Sequence, residues 1–320
     1  MAHSDDDAIV VEALTKRYGD LLAVNDVSFT VRKGEVFAFL GPNGAGKTTT
    51  VEIIATIRTV TSGRVSVLGL DVTKHRRDII PRIGVLPQGF SSFDRITVSE
   101  SIRYYSSLFG CKNADVDGLM DLTNLKEHSD VQFKRLSGGL KQRLGIAISL
   151  VNDPEVVFLD EPTTGLDPHA RRAVWDVLLG LKSKGKVVFL TTHYMEEAEL
   201  LADTVAIMSR GKLVAIGSPD ELIERNANYV CLTLKSVDAK ALETIKKMSF
   251  EPVQDNRNNI KVRVKHTEDV QAILSAIKGS GGAGMPLPGI DVRKPNLEEV
   301  FLNFMGEEVR EGASSDGATQ

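Results

Sequence analysis

The run Gly41-Pro42-Asn43-Gly44-Ala45-Gly46-Lys47-Thr48 restricts the fold of this 320-residue chain more than any other stretch. It fits the spacing GxxxxGK[ST], with the apolar run Val36 to Leu40 before it and a helix-favouring stretch to about Ile57 after it. That strand–loop–helix context is the one in which the pattern cradles phosphate. Glycines let the backbone wrap so that N–H groups point inward, the helix N-terminus favours an anion, and Lys47 adds a cation for the β- and γ-phosphates. Thr48 supplies a hydroxyl suited to Mg²⁺.

A second apolar run, Val156 to Leu159, leads into Asp160 and Glu161 and so puts two carboxylates at the C-terminal end of a buried strand. Open α/β sheets bind their ligands at that edge. Asp160 is expected to hold Mg²⁺ through water, and Glu161 to orient or deprotonate the attacking water of a phosphoryl transfer.

Along the chain, short strands are expected from Ile9, with Val27 to Val31 alternating before a turn at Lys33-Gly34-Glu35. Ser62-Gly63 introduces a half-exposed strand from Arg64 to Leu68, and polar helices fill roughly Ser99 to Phe133. Val187 to Leu190 and Val205 to Met208 read as further strands covered on both faces, as parallel sheets are. The expectation is an α/β core over residues 8–225, with an antiparallel β subdomain and a helical subdomain. Residues 228–306 then run strand, helix, two strands around Asp255 to Asn259, helix, strand. This βαββαβ order is that of a ferredoxin-like α+β unit, closed by a helix from Leu297 to Phe304. The tail 307–320 is acidic, then rich in Ser, Gly and Ala, and is expected to be disordered.

Between the two phosphate-related motifs lies Leu136-Ser137-Gly138-Gly139, followed by Leu140-Lys141-Gln142-Arg143. Ser137 is suited to cap the helix that starts there, and the exposed glycine N–H groups offer a second anion site. This stretch resembles the signature sequence of ABC transporter ATPases. The resemblance covers roughly residues 9 to 225 and implies a P-loop NTPase with a RecA-like core. It also implies ATP and Mg²⁺ as ligands, with Gly41 to Thr48 and Thr49 around the phosphates and Thr48, Asp160 and Gln88 at the metal. By the same resemblance Tyr18 stacks on adenine, Gln88 senses a membrane partner, His193 contacts the γ-phosphate, and Gly165-Leu166-Asp167 crosses a dimer interface. Lys47, Gln88, Glu161 and His193 form the implied catalytic set. Leu140 stands where the family usually has glutamine.

Only one phosphate loop and one signature occur, and the family completes each ATP site with the signature of a second subunit, so a head-to-tail homodimer is implied. The C-terminal unit, ending Pro295 to Leu302, is similar to that of ATPases serving drug-exporter and related ABC-2 type permeases. An integral-membrane permease is thus the expected partner, since the longest apolar stretch, Leu144 to Val151, is far below the roughly 20 residues a spanning helix needs. With 39 Lys plus Arg against 43 Asp plus Glu, the net charge of −4 provides no footprint for gripping nucleic acid. Cys111 and Cys231, far apart and outside any metal spacing, read as free thiols of a reducing compartment. The acidic start, Asp5 to Asp7, does not resemble a signal peptide. A place on the cytoplasmic face of the cell membrane, reached through the permease, is the resulting expectation.

Overall fold

The computed structural model describes residues 4, 6–111, 113–226, 229–235, 239–255, 258–280 and 289–304. The expected tail at 307–320 lies outside them. Two compact units divide between Pro219 and Asp220.

In the first unit β1 (Asp7–Tyr18) and β2 (Leu21–Arg32) pair antiparallel as two strands of 12 residues each, longer than the short strands expected. Register shifts keep that length from showing as plain alternation. The left-handed residues Ala13 and Asp26, at φ 49° and 55°, lie beside those shifts. Their N–H groups are satisfied by side chains across the pair, Ser28 Oγ at 2.8 Å and Thr15 Oγ1 at 3.2 Å.

Next come β3 (Val36–Leu40) and α1 (Lys47–Ile54). This helix stops short of Ile57 because Ala55 caps it and Thr56 turns left-handed at φ 62°. β4 (Ser62–Val67) and β5 (Leu70–Asp71) complete a four-stranded sheet in the order β2-β1-β4-β5. The short α2 (Arg76–Ile79) leads to β6 (Ile83–Leu86), a strand that sequence reading missed.

A helical layer follows: α3 (Val98–Leu108), α4 (Val116–Leu122) and α5 (Gly138–Ser149). Thr97 and Glu100 form a reciprocal capping box at the start of α3. The layer has its own core, in which Ile102, Met120, Phe133 and Leu144 are buried and Leu140 packs against them. Leu140 therefore has an apolar task at its departure from the family pattern.

The remaining elements of this unit are β7 (Val156–Asp160), α6 (Pro168–Ser183), β8 (Val187–Thr192), α7 (Met195–Leu201), β9 (Thr204–Ser209) and β10 (Lys212–Gly217). A six-stranded sheet results, in the order β10-β9-β3-β8-β7-β6, parallel throughout except for the antiparallel edge strand β10. Every residue of β3, β7 and β8 is buried, as a sheet covered on both faces requires. Phe29 of β2 reaches across to stack on Phe37 at 5.1 Å, which in turn stacks on Phe189 at 5.1 Å, so aromatic rings join the antiparallel sheet to the central one.

α8 (Pro219–Asn226) precedes the strands of the second unit. That unit comprises β11 (Val230–Lys235), α9 (Ala239–Lys247), β12 (Val253–Gln254), β13 (Ile260–Val264), α10 (Thr267–Ser280), β14 (Gly289–Arg293) and α11 (297–304). Its sheet, in the order β12-β13-β11-β14, is antiparallel at every pair, with the helices α9 and α10 between strands in a βαββαβ order. Leu232, Leu234, Ile260, Val262 and Val264 meet Ala241, Ile245, Val270 and Ile273 of the helices in one core. Glu299 of α11 accepts from Arg293 at 2.9 Å and lies 3.2 Å from the Cys231 sulfur, which burial pushes up to about 11 in pKa.

Candidate active site

The parallel register decides where the polar residues go. Leu40 pairs with Thr192, Asp160 with Thr191, and Leu86 with Leu159, so the C-terminal ends of β3, β8, β7 and β6 lie side by side. Each strand hands its next few residues to the same edge.

From β3 comes the phosphate loop. Gly41 fits only without a side chain, since a Cβ there would stand 2.2 Å from the Met208 carbonyl oxygen. Gly46, at φ 102°, swings the chain into α1. Lys47 is 5% exposed and donates to the Gly41 and Pro42 carbonyls at 2.7 and 3.1 Å, inside the curve of its own loop. Burial lowers its pKa from the ordinary lysine value, opposed by the charges of Glu161 and Asp160. Thr48 donates to Asp160 Oδ1 at 3.3 Å. Thr49 follows it on α1, half-buried.

β7 supplies the two carboxylates. Asp160 is buried and accepts from Thr48 and, at very short range, from the Thr191 hydroxyl. Glu161 adopts the left-handed conformation, φ 50°, and its N–H is held by the Thr191 carbonyl at 3.1 Å and hydroxyl at 3.0 Å. Its carboxylate gathers three elements: Lys47 Nζ at 3.9 Å, Gln88 Nε2 donating at 3.2 Å from beyond β6, and Thr164 Oγ1 donating at 2.9 Å. His193 Nδ1, from beyond β8, lies 3.4 Å from Glu161 Oε2 without the alignment of a hydrogen bond.

Lys47, Thr48, Gln88, Asp160, Glu161 and His193 thus share one edge. The other named residues stand elsewhere. Ser137 caps α5 by accepting from Leu140 N–H at 3.3 Å. Gly138 and Gly139 open that helix against Leu166 and Ala170, where a Cβ on Gly139 would meet the Ala170 methyl at 2.7 Å. Asp167 caps α6 by accepting from Ala170 N–H at 2.9 Å, with Pro168 at the first helical position. Tyr18 is 38% exposed at the end of β1, with Lys16 Nζ 5.0 Å from its ring centroid. Among the described residues, none of the contacts that join Lys47, Asp160 and Glu161 includes these.

Sequence reading missed Thr164 and Thr191. Thr191 stands two residues before His193, and nothing in a single sequence distinguishes its hydroxyl from that of Thr192.

The donor set fits a nucleotide with a hard divalent cation: a wrapped loop closed to side chains, a buried ammonium beside it, and a hydroxyl plus a carboxylate as oxygen ligands. The family profile described as ABC transporter matches residues 24–164. Nod factor export ATP-binding protein I of Ralstonia nicotianae is 37% identical over 308 residues, covering 94% of each chain. The chain belongs to the ABC transporter ATP-binding proteins. The Rhizobium meliloti protein of the same name is 37% identical over 309 residues, 95% of this chain and 90% of that one. A solved ATP-binding subunit of an ABC transporter superposes with TM-score 0.60 at 26% identity, over 68% of this chain and 92% of its own. A bacterial Atm1-family ABC exporter with ATP bound shares the fold, with TM-score 0.61 at 24% identity over 70% of this chain and 41% of its own. As a member of this family the protein binds and hydrolyses ATP with Mg²⁺ and energises transport through a separate membrane component. No helix among the described residues is long and apolar enough to cross a membrane.

Proposed function

We propose that two copies of this ABC ATPase close head to tail around ATP, part after hydrolysis, and pass that motion through the Gln88 segment to a permease that exports its cargo. The observation that carries the two-copy arrangement is the split of the site. The reacting edge of one chain is assembled from Lys47, Asp160, Glu161, Gln88 and His193, while Ser137-Gly138-Gly139 and Asp167 form a separate group of helix N-termini suited to a second phosphate contact. Export is supported by the relatives. Their match of 308 residues is longer than the whole first unit and so reaches into the second, and they are named for export. Drugs, lipids or other small molecules fit this reading as cargo. Residues 228–306 serve as an accessory domain, and the ATPase works at the cytoplasmic face of the membrane through its permease.

Mg²⁺, where bound, would neutralise phosphate charge. Thr48, Asp160 and Gln88 are the side chains that would hold it. Lys47 holds positive charge against the phosphates, and its burial strengthens the attraction. Glu161, fixed by Thr191 and Thr164, orients the attacking water and takes its proton, and His193 approaches the transferred phosphoryl group. Tyr18 presents an exposed ring for the base.

Mg²⁺-dependent ATP hydrolysis by the purified chain, measured across protein concentration beside Lys47→Ala, tests the arrangement. A Lys47-dependent rate per subunit that climbs with concentration supports it; a rate per subunit independent of concentration overturns it.

A further inference from the structure

Behind the reacting edge, α7 carries a carboxyl that the roles above leave without a task. Glu197 is fully buried, at 0% exposure. Its Oε1 accepts from Thr163 Oγ1 and from Trp175 Nε1, both at 3.0 Å. Three segments therefore meet on one oxygen. Thr163 is two residues beyond Glu161, Trp175 belongs to the helix that Asp167 caps, and Glu197 itself follows His193 by about one helical turn.

An acid enclosed in this way is a poor choice for packing alone. Burial disfavours its charged form and raises its pKa, against the opposing influence of Thr192, Thr163, Trp175 and Arg171. Its second oxygen, Oε2, is buried with no hydrogen-bond partner, and so is Arg171 Nε. The Arg171 guanidinium lies 4.2 Å from the Tyr194 ring centroid, and that ring lies 4.2 Å from the ring of His193. α6 thus reaches the His193 turn twice, once through Trp175 and Glu197 and once through Arg171 and Tyr194.

We propose that Glu197 is a positioning residue for hydrolysis: its carboxyl fastens the exit of β7, which presents Glu161, and the helix that follows Asp167 to the element that presents His193. The proposal rests on the roles given to Glu161 and His193 above. It predicts loss of geometry in the transition state without loss of nucleotide binding, because Glu197 touches neither Lys47 nor the phosphate loop in any described contact.

Steady-state kinetics of Glu197→Ala and Glu197→Gln, with unfolding curves for each, provide the test. Alanine is expected to lower kcat about tenfold while KM for Mg-ATP stays within about twofold, the pattern of an interaction that counts only in the transition state. Glutamine is expected to restore kcat to within about threefold of wild type, since its amide carbonyl accepts the same two hydrogen bonds. A folded alanine variant with wild-type kcat, a raised KM with kcat unchanged, or a glutamine variant no better than alanine would overturn the proposal. Should the alanine variant not fold, Thr163→Val and Trp175→Phe each remove one donor, the first with little change of volume. Lower kcat at unchanged KM in both supports the proposal, and wild-type kcat in both overturns it. Glu161→Gln in the same series separates the two levels: if its turnover stays at wild type, the role of Glu161 falls, whatever Glu197 shows.

Discussion

The Thr191 hydroxyl donates to the Asp160 carboxylate across the β7–β8 pair, and the same oxygen accepts the Glu161 N–H at 3.0 Å. One buried side chain therefore sets both the direction of the Asp160 carboxylate and the left-handed backbone of the neighbouring acid. Thr191→Val keeps the volume and removes both bonds, leaving a buried carboxylate oxygen short of a donor. The expected result is kcat lower by about tenfold or more with folding retained, and recovery in Thr191→Ser, read by steady-state ATPase rates.

Glu161→Gln should abolish turnover, lowering kcat by about 10²–10³-fold, because an amide cannot take the proton of water. ATP binding should survive. Size-exclusion chromatography with Mg-ATP is expected to show a long-lived dimer of this variant, and a monomer under those conditions would count against the two-copy site.

Much of this was legible in the sequence because the phosphate loop, the Asp160-Glu161 pair and the Ser137-Gly138-Gly139 turn each lie within a few consecutive residues, where spacing alone carries the chemistry. β6 was not legible: it is four residues long and contains Gly84, so it has neither length nor alternation to show. β10 was missed too, since its residues are half-buried or exposed along an edge. The lengths of β1 and β2 were hidden by register shifts that break the period of two. Thr191 and Glu197 take their meaning from segments 30 and 34 positions away, through Glu161 and Thr163, and no local pattern records that.

Stability should depend on pH through Glu197. Its folded pKa is raised above the unfolded value, so its contribution is fully present below the ordinary glutamate range and is lost as pH rises through the folded value. A single proton gives a slope of at most about 1.4 kcal/mol per pH unit in that window. The groups facing the carboxyl are Thr163, Trp175, Thr192 and Arg171, none of them another acid that would titrate with it. Urea unfolding midpoints across pH are expected to fall more steeply for wild type than for Glu197→Gln; parallel curves would show the carboxyl to be ionised throughout.

Gly41→Ala should damage nucleotide binding before it damages the fold. The added methyl would sit 2.2 Å from the Met208 carbonyl oxygen, so the loop must move off β9 to admit it. Equilibrium binding of a fluorescent ATP analogue is expected to weaken by about tenfold or more, matching roughly 1.4 kcal/mol or more of displaced loop geometry.

Thiol labelling should distinguish the two cysteines. Cys231 is buried, and its pKa is raised to about 11, so little thiolate is present at neutral pH. Cys111 is partly exposed. Mass spectrometry after brief maleimide treatment of the folded chain is expected to find one adduct, on Cys111.

Trp175, which donates to Glu197, is the only tryptophan in the chain. Intrinsic tryptophan emission from this protein is therefore a single-site signal, arising where the supports of Glu161 and His193 meet. A shift in its colour or lifetime on adding nucleotide would report a change at that junction and at no other tryptophan. The enzyme carries its own optical gauge, with no label to attach and no background to subtract.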